Sequence, residues 1–233
     1  MLSFCQAFLI FICALSQAYV LEVNQDDSIQ GAIFAAQPWD TVLVYNGSYY
    51  EHIKIDKPIT LKGMGYPILD SSASGSALTL SAGGVIIEGF RIINSGSFPT
   101  KQEEAGINVL SNNNTVRGNI INNNFNGILV TNAEENRIFS NIIKGNLGYG
   151  IKLLEANNNS VYGNILVDNY GLNAFDNGIN KWDNYTIGNY FSDFDSVDEG
   201  CFDENMDMLC DSPHAILGGQ GVDMYPLARI FKL

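Results

Sequence analysis

The chain has 233 residues, which is enough for one domain with a sizeable hydrophobic core. It contains 12 Lys and Arg against 25 Asp and Glu, a formal net charge of -13, and this balance argues against nucleic acid as a partner because phosphate binding needs clustered cations. Charged residues make up only 16% of the chain, and Asn, Ser, Gly and Thr supply most of the polar surface, which fits a secreted protein better than a cytosolic enzyme.

The first 18 residues have the pattern of a secretory signal. Leu2–Ala18 is an apolar run, and Ser16 and Ala18 lie at the -3 and -1 positions of a cleavage point after Ala18. No Lys or Arg precedes the run, so a retained anchor is the alternative, although the run is short for a membrane span. No later stretch has the pattern of a transmembrane segment. We therefore expect a secreted, periplasmic or cell-surface protein with one domain over residues 19–233.

A short helix is predicted within residues 26–38. Asp26, Asp27 and Ser28 are suited to cap its free N–H groups, and Pro38 ends it. One face of this helix is apolar: Ile29, Ala32, Ile33 and Ala36. Because the first coil of a solenoid exposes a strand edge and an open core, we expect the helix to cover that end.

Short apolar alternations follow the helix and predict strands rather than further helices. The predicted strands are Thr41–Val44, His52–Ile55, Ile59–Leu61, Ile68–Leu69, Ala77–Leu80 and Val85–Ile93.

An internal repeat occupies the middle of the chain. Three phrases begin at Gly106, Gly127 and Gly150, and each is followed by a second alternating phrase. Two asparagine series, Asn119-Asn141-Asn164 and Asn124-Asn146-Asn169, recur at offsets of 22 and 23 residues. This period predicts an all-β parallel solenoid with coils over residues 41–190. The stacked asparagines are expected either to pass amide hydrogen bonds from coil to coil or to form an outward row that binds sugar or ions.

Two segments beside the repeat are candidates for a binding surface. The polar insertion Ser97–Glu104 is of the kind that bulges from one face of a solenoid, although it could equally be a plain loop. Aromatic residues gather after the repeat, and they predict either a cap for the open core or a platform for sugar rings. The platform candidates are Trp182, Tyr185 and Tyr190.

The cysteines and the glycosylation motifs both fit an exported chain. Signal removal leaves Cys201 and Cys210, which we expect to form a disulfide. Four Asn-x-Ser/Thr motifs are glycosylation candidates: Asn46, Asn113, Asn158 and Asn184.

An acidic C-terminal cap is predicted over residues 191–233. Within it Asp203, Asn205, Asp207 and Asp211 place oxygen ligands at intervals typical of calcium loops. Met208 occupies the position where such loops favour Gly, and no Glu closes the loop. Because crowded carboxylates repel one another, the loop either stays solvated or gathers a cation, and we predict calcium.

Several phrases together resemble one family. They are Ser28-Ile29-Gln30, Ala35–Val44, Gly47–Glu51, Lys57–Gly63, Trp182-Asp183-Asn184, Gly188–Asp193 and Asp223–Leu227. The chain resembles the NosD-type, pectin-lyase-like proteins, including archaeal cell-surface members. The resemblance implies a single-stranded right-handed parallel β-helix. The family is labelled as copper-binding, or as carbohydrate-binding and sugar-hydrolysing, so it implies function only loosely.

The residues themselves favour binding over catalysis. No pair of carboxylates recurs at one position on adjacent coils, so no catalytic constellation is evident, and the enzyme question stays open with a polysaccharide lyase or glycoside hydrolase as one alternative. Copper maturation is the other alternative, with Met206, Met208 and His214 as soft or imidazole ligands. We expect a carbohydrate-binding protein or a structural surface scaffold, with a polysaccharide or cell-envelope glycan as partner.

Overall fold

The computed structural model describes residues 18–96 and 104–230. The predicted signal peptide (residues 1–17 of it) and most of the predicted insertion (residues 97–103) lie outside the described residues. The strands are β1 (Val20–Val23), β2 (Thr41–Val44), β3 (Ser48–Tyr49), β4 (Ile53–Ile55), β5 (Thr60–Gly63), β6 (Ile68–Asp70), β7 (Leu78–Leu80), β8 (Ile86–Glu88), β9 (Arg91–Ile93), β10 (Ala105–Val109), β11 (Thr115–Arg117), β12 (Ile120–Asn122), β13 (Asn126–Thr131), β14 (Arg137–Phe139), β15 (Ile142–Lys144), β16 (Tyr149–Leu154), β17 (Ser160–Tyr162), β18 (Ile165–Val167), β19 (Leu172–Asp176), β20 (Tyr190–Phe191), β21 (His214–Ala215) and β22 (Val222–Asp223). The one α-helix of the described residues is α1 (Ile29–Ala35), and a 3-10 turn spans Val197–Glu199.

The strands wind into a right-handed parallel β-helix of about seven turns, as predicted. Sheet 1 has the order β1-β2-β5-β8-β11-β14-β17, sheet 2 the order β3-β6-β9-β12-β15-β18-β20, and sheet 3 the order β4-β7-β10-β13-β16-β19. Ile107, Ile128 and Ile151 lie in register on successive coils of sheet 3. The repeat period therefore places equivalent residues directly above one another.

The core follows from the alternation within each short strand. Inward positions are apolar and fully buried on all three sheets, for example Val116, Ile138 and Val161 on sheet 1, Ile121, Ile143 and Leu166 on sheet 2, and Ile128 and Ile151 on sheet 3. Each coil contributes only a few such residues, and stacking with its neighbours completes the enclosure.

Three asparagine ladders follow the corners, where the sequence predicted two. At the first corner, between sheets 1 and 2, the Asn119 backbone N–H and Nδ2 donate to Asn141 Oδ1 at 3.0 and 3.1 Å. Asn141 repeats both contacts to Asn164 Oδ1 at 3.1 and 3.0 Å. The second ladder, between sheets 2 and 3, and the third, between sheets 3 and 1, use the same bonds: Asn124-Asn146-Asn169 and Asn114-Asn136-Asn159. The structural interpretation of these asparagines is thus confirmed, because they are buried.

The N-terminal end differs from the prediction in two details. The helix is shorter than residues 26–38, and Ser28 Oγ accepts from the Gly31 N–H at 3.0 Å. The carboxylate of Glu51, from the first coil, accepts from the Ile29 N–H at 2.9 Å and so fixes the helix to the solenoid. Strand β1 was not predicted, because Val20–Val23 lies next to the apolar signal segment in sequence. It pairs in parallel with β2 and adds a strand to sheet 1.

The C-terminal end is closed by irregular chain after β20. Cys201 and Cys210 form the predicted disulfide, and β21 pairs with β22 in an antiparallel hairpin. Trp182 and Phe191 are fully buried at this end. No helix of the described residues is long and apolar enough to cross a membrane.

Candidate functional site

The first corner of the solenoid has a floor without bulky side chains. The residue before each ladder asparagine is Gly118, Ser140 or Gly163, and each has a left-handed backbone with φ of +63°, +56° and +62°. Glycine adopts this conformation without steric cost, and it lies at the bend where the chain passes from sheet 1 to sheet 2. A Cβ atom placed on Gly118 would meet no heavy atom within 4 Å, so the floor is open.

This floor belongs to a groove that runs along the solenoid axis. Ile120, Ile142 and Ile165, stacked in register and half-buried, form its wall on sheet 2. One hollow of about 230 Å³ begins at Tyr66 and follows Gly118, Ser140 and Gly163.

A second hollow of about 310 Å³ continues the groove towards the C-terminal end. It shares Ser140, Gly163 and Ile165 with the first. Its other lining residues are Tyr162, Ile187, Leu227, Arg229 and Ile230. We call the two hollows together the corner groove.

Aromatic rings and cations border the corner groove on sheet 1. The Phe139 and Tyr162 rings stack in parallel with centroids 5.1 Å apart, as their register requires. The Arg137 guanidinium carbon lies 5.3 Å from the Phe139 centroid, and Arg137 Nη2 donates to Tyr162 Oη at 2.9 Å. The ring of Tyr162 is thus held in place between Phe139 and the second hollow.

A charge cluster lies further along the same face. Glu88 Oε1 pairs with Lys62 Nζ at 3.0 Å, and Glu88 Oε2 pairs with Arg117 Nη2 at 2.6 Å. Partial burial alone would raise the pKa of Glu88, but the hydrogen bonds from Lys62 and Arg117 outweigh it and lower that pKa. These two cations therefore share one carboxylate partner within the protein, and the cluster keeps one net positive charge.

The outer face of sheet 3 is more closed. Lys152 points away from the core yet is buried, with its Nζ 4.7 Å from the Tyr149 ring centroid and 5.6 Å from that of Phe175. Leu129, the preceding residue in its column, is also buried. Compared with this face, the corner groove offers the more open surface.

The predicted aromatic platform is not assembled as one surface. Trp182 is fully buried and its Nε1–H donates to Asp176 Oδ2 at 2.8 Å. Tyr190 is 8% exposed and its hydroxyl donates to Asp195. Only Tyr185 is open to solvent, where its hydroxyl accepts from Lys181 Nζ at 2.9 Å. Trp182 and Tyr190 fill the end of the core instead, which corresponds to the cap interpretation.

The predicted calcium loop is an exposed turn closed by its own polar groups. Asn205 Oδ1 accepts from the Asp207 N–H at 2.9 Å, and Asp207 Oδ1 accepts from the Leu209 N–H at 2.9 Å. Asp211 Oδ2 accepts from the Glu204 N–H at 2.7 Å. Across residues 18–96 and 104–230, no three His, Cys, Asp or Glu side chains are grouped so that they could hold a metal ion.

Asp203 has a split environment within this loop. Its Oδ2 pairs with Arg229 Nη2 at 2.8 Å, and the hydrogen bond from Arg229 lowers the pKa of Asp203. Its Oδ1 is buried and has no hydrogen-bond partner in the described part of the chain.

The residues proposed as copper ligands do not converge on one point, and the thiols and the imidazole are engaged in other contacts. The Cys201–Cys210 disulfide leaves neither thiol free for a metal. The His214 ring packs against Phe191 and Phe194, with centroids 4.5 and 4.4 Å away, and burial lowers the pKa of His214. Met206 is 79% exposed.

The four glycosylation candidates lie at the surface. Asn46, Asn113, Asn158 and Asn184 are all exposed. Asn184 Oδ1 already accepts from the Thr186 hydroxyl at 2.8 Å, whereas Asn113 and Asn158 lie on left-handed corners.

The fold and the corner groove define a right-handed parallel β-helix protein with an open, largely apolar surface channel. A family model described as "Periplasmic copper-binding protein (NosD)" matches residues 66–196, more than half of the chain. The chain therefore belongs to the NosD family, as its resemblance predicted.

One solved structure supports the fold independently. It is the crystal structure of alginate lyase from Paenibacillus sp. str. FPU-7, which has 17% sequence identity and a TM-score of 0.56. The match covers 74% of this chain and 64% of that enzyme, so the chain spans less than two thirds of the enzyme's length. No curated protein matches the chain.

The copper in the family's description does not fit the residues proposed for it here. Copper sites need thiolate, thioether or imidazole ligands that converge. In this chain the thiols are bonded to each other, the imidazole is packed between two phenyl rings, and Met206 points into solvent.

Sequence reasoning overlooked the corner groove although its signal was present. The positions before Asn119, Asn141 and Asn164 are all small, and the positions after these asparagines are all Ile. The third ladder also recurs at the same offsets of 22 and 23 residues. Both features become visible when every position of the repeat is aligned, and not only the most prominent asparagines.

Proposed function

We propose that this protein binds an extended polysaccharide chain along the corner groove. The observation that carries the proposal is the continuity of the groove over several coils, from Tyr66 to Ile230, above a floor of bare small residues. With coils spaced about 4.8 Å apart, such a channel accommodates a linear polymer and not only a compact ligand.

The lining of the groove suits sugar rings. The isoleucine wall and the Tyr162 ring offer surfaces for the apolar faces of pyranoses, while the Ser140 hydroxyl offers a polar contact. The Phe139 stack and the Arg137 bond hold Tyr162 in one orientation, which limits the entropy lost on binding.

The groove supports binding better than catalysis. Its lining residues include two tyrosines and Arg229 but no carboxylate or imidazole. Among these lining residues only the two tyrosine hydroxyls could act as a general acid or base, and that of Tyr162 already accepts a hydrogen bond from Arg137. We therefore propose that the chain is a carbohydrate-binding protein, and we favour this function over the lyase and hydrolase alternatives.

The comparisons support this proposal in a coarse way. The NosD description names periplasmic proteins, and the structural neighbour is a polysaccharide lyase. Both are consistent with a protein that works outside the cytoplasm, at a cell surface or in a periplasm, and meets glycans there.

The proposal is tested by filling the groove without disturbing the fold. Gly118→Asn adds a side chain where space is open, and Asn tolerates the left-handed backbone better than other residues. Glycan binding, measured by a glycan array and then by calorimetry on the hits, should weaken at least tenfold, about 1.4 kcal/mol.

Gly145→Asn is the matched control. Gly145 has φ of +60° and lies at the second corner. A Cβ atom added to it would have Asn123 Oδ1 as its nearest heavy atom, at 3.7 Å. It should leave binding unchanged. Equal loss in both variants, or no glycan bound by the wild type, contradicts the proposal.

We also propose that calcium binds the loop of Asp203, Asn205, Asp207 and Asp211. Because no three carboxylates of the described residues are grouped for a metal, binding requires Asp207 and Asp211 to leave their present backbone hydrogen bonds and converge on the ion. Asp203 Oδ1 supports this proposal, since a buried carboxylate oxygen without a partner is an available ligand. The Cys201–Cys210 disulfide brackets the loop and reduces the cost of ordering it.

A further inference from the structure

We infer that the corner groove selects acidic polysaccharides, with Arg137 and Lys181 as the residues that recognise the carboxylates of the glycan. The inference rests on the proposed function and names the class of glycan. It follows from how the cations on the outer face of sheet 1 are partnered.

The cations on this face fall into two kinds. Lys62 and Arg117 both pair with Glu88. Arg137 and Lys181 form no salt bridge with any residue in 18–96 or 104–230, and each donates instead to a tyrosine hydroxyl. In a chain with 25 acidic and 12 basic residues, carboxylate partners are abundant, yet neither cation has one within salt-bridge distance. Asp183 acts on Lys181 only at longer range, so both cations leave positive charge available to a ligand.

Each of these two cations is held by an aromatic residue. Arg137 lies over the Phe139 ring and donates to Tyr162, and Lys181 Nζ lies 5.1 Å from the Tyr185 ring centroid and donates to its hydroxyl. The hydrogen bond to Tyr185 raises the pKa of Lys181, so this side chain keeps its charge. Both cations retain further N–H donors for a carboxylate, and the planar guanidinium of Arg137 is suited to a bidentate contact.

The two cations also share one column on the outer face of sheet 1, two residues before the column of Phe139 and Tyr162 that borders the groove. Arg137 is in register with Ser160, and Ser160 bridges to Lys181, so the cations lie two coils apart in a single column. Two coil spacings amount to about 10 Å. A polymer lying along the axis would therefore present carboxylates to both when alternate sugars carry them.

The neighbouring column, which contains Phe139, holds the groove's own aromatic residue. Tyr162 lines the second hollow with its ring and binds Arg137 with its hydroxyl. A sugar that packs on Tyr162 would thus lie beside the guanidinium. Arg229, at the far end, is already paired with Asp203 and is not assigned this role.

The test compares one glycan in two charge states. The probes are a polyuronate oligosaccharide and the same oligosaccharide with its carboxyl groups reduced to alcohols. Wild-type protein should bind the acidic form at least tenfold more tightly, about 1.4 kcal/mol. Arg137→Gln with Lys181→Gln should remove that preference, so that the variant binds both forms equally. Any weakening caused by the loss of the Arg137 bond to Tyr162 affects both probes and cancels in the ratio of their affinities.

The control removes the same charge elsewhere. Lys54→Gln with Lys144→Gln changes two exposed lysines on sheets 3 and 2, and it should keep the preference. Tyr162→Phe retains the ring and removes the anchor of Arg137, so it should reduce the preference partially.

Each result has one meaning. Equal wild-type affinity for both probes overturns the inference but leaves the proposed function in place. If the wild-type protein binds neither probe and no other glycan, the proposed function itself is overturned. Equal loss in the two double variants assigns the effect to net charge and overturns the assignment to Arg137 and Lys181. A preference that survives Arg137→Gln with Lys181→Gln also overturns it.

Discussion

The regular coils and the C-terminal cap use the same hydrogen-bond chemistry with opposite charge. In the coils every ladder asparagine accepts from the coil before it and donates to the coil after it, so the relay carries no net charge. In the cap each relay ends on an aspartate. The ladders at the first, second and third corners end on Asp223, Asp193 and Asp176.

The polarity of the ladder explains this choice of residue. The last asparagine of each relay has N–H donors that point out of the coils, and a carboxylate only accepts. Asn189 donates its backbone N–H and Nδ2 to Asp223 Oδ2, the latter at 3.1 Å. An asparagine in the place of Asp223 would continue the ladder but turn a donor towards the Tyr225 N–H, which now donates to Asp223 Oδ1 at 3.0 Å.

This difference between the coils and the cap predicts which region responds to substitutions and which responds to solution conditions. A neutral relay in the coils responds to lost hydrogen bonds but not to pH. The cap fully buries Asp223, one of its three terminal aspartates, where the charged form is costly. We therefore expect substitutions to matter most in the coils and solution conditions to matter most in the cap.

The largest expected effect breaks a ladder in mid-coil. Asn141 Oδ1 accepts two bonds from Asn119, and its Nδ2 donates to the Val116 and Phe139 carbonyls at 3.0 and 3.1 Å. Asn141→Ala removes the acceptor of the buried Asn119 backbone N–H and takes one donor away from each of the two carbonyls. It should lower the free energy of unfolding by at least about 3 kcal/mol, measured by urea denaturation.

Asn205→Ala provides the comparison in the cap. Asn205 is exposed and bonds only within its own loop. In the presence of a chelator its effect should stay within about 0.5 kcal/mol. Comparable losses for the two variants would mean that the coils are not the more sensitive region.

A smaller effect follows from the titration of Asp223. Burial raises the pKa of Asp223 to about 7 in the folded protein, against an ordinary value of about 3.9. The native state then binds this proton more tightly than the unfolded chain, so the stabilisation is fully present below about pH 4 and is lost as the pH rises through 7. The loss should be on the order of a few kcal/mol.

Asp223→Asn removes this titration and serves as the reference. The difference in unfolding free energy between wild type and variant should fall between pH 4 and pH 7 and then level off. The charged neighbour Asp183 faces the same segment, accepting from the Met224 N–H at 3.2 Å, and it raises the pKa of Asp223 further. Parallel curves across this range would exclude Asp223 as a titrating group.

The sequence specified the coils well because their information is repeated. Offsets of 22 and 23 residues identified the stacking of Asn119, Asn141 and Asn164 and the core column of Ile107, Ile128 and Ile151, both of which the structure contains. Each coil constrains its neighbours, so an error at one position is corrected by the others.

The cap was less predictable because each of its contacts occurs once. Trp182 has no sequence feature that separates a sugar platform from a core residue, and only the fold places its Nε1 on Asp176. The pairing of Asn189 with Asp223 spans 34 residues without a periodic signal. The corner groove is intermediate in how far the sequence predicts it. Its floor is formed by residues of the repeat, but its far end is formed by Leu227 and Ile230 of the cap.

The smallest expected effect is that of calcium on thermal stability. A bound calcium ion would give the cap a charge that the coils lack. Calcium favours oxygen ligands, and Asp203 offers a buried carboxylate oxygen without a partner. A ligand that binds only the folded state stabilises it by about 2.7 kcal/mol at one hundred times its dissociation constant. Calcium should therefore raise the thermal midpoint by several degrees over a chelator-treated sample, measured by calorimetry.

Two double variants assign that rise to the loop. Asp203→Asn with Asp207→Asn should abolish it, because both substitutions replace carboxylate ligands. Asp26→Asn with Asp198→Asn removes the same charge from exposed positions outside the loop and should keep it. Arg229 currently neutralises one oxygen of Asp203, so calcium must compete with a guanidinium there, and this competition keeps the expected shift modest. A wild-type midpoint that is equal in millimolar calcium and in chelator would leave the loop as a solvated acidic turn, and the cap would then differ from the coils only in how it ends the ladders.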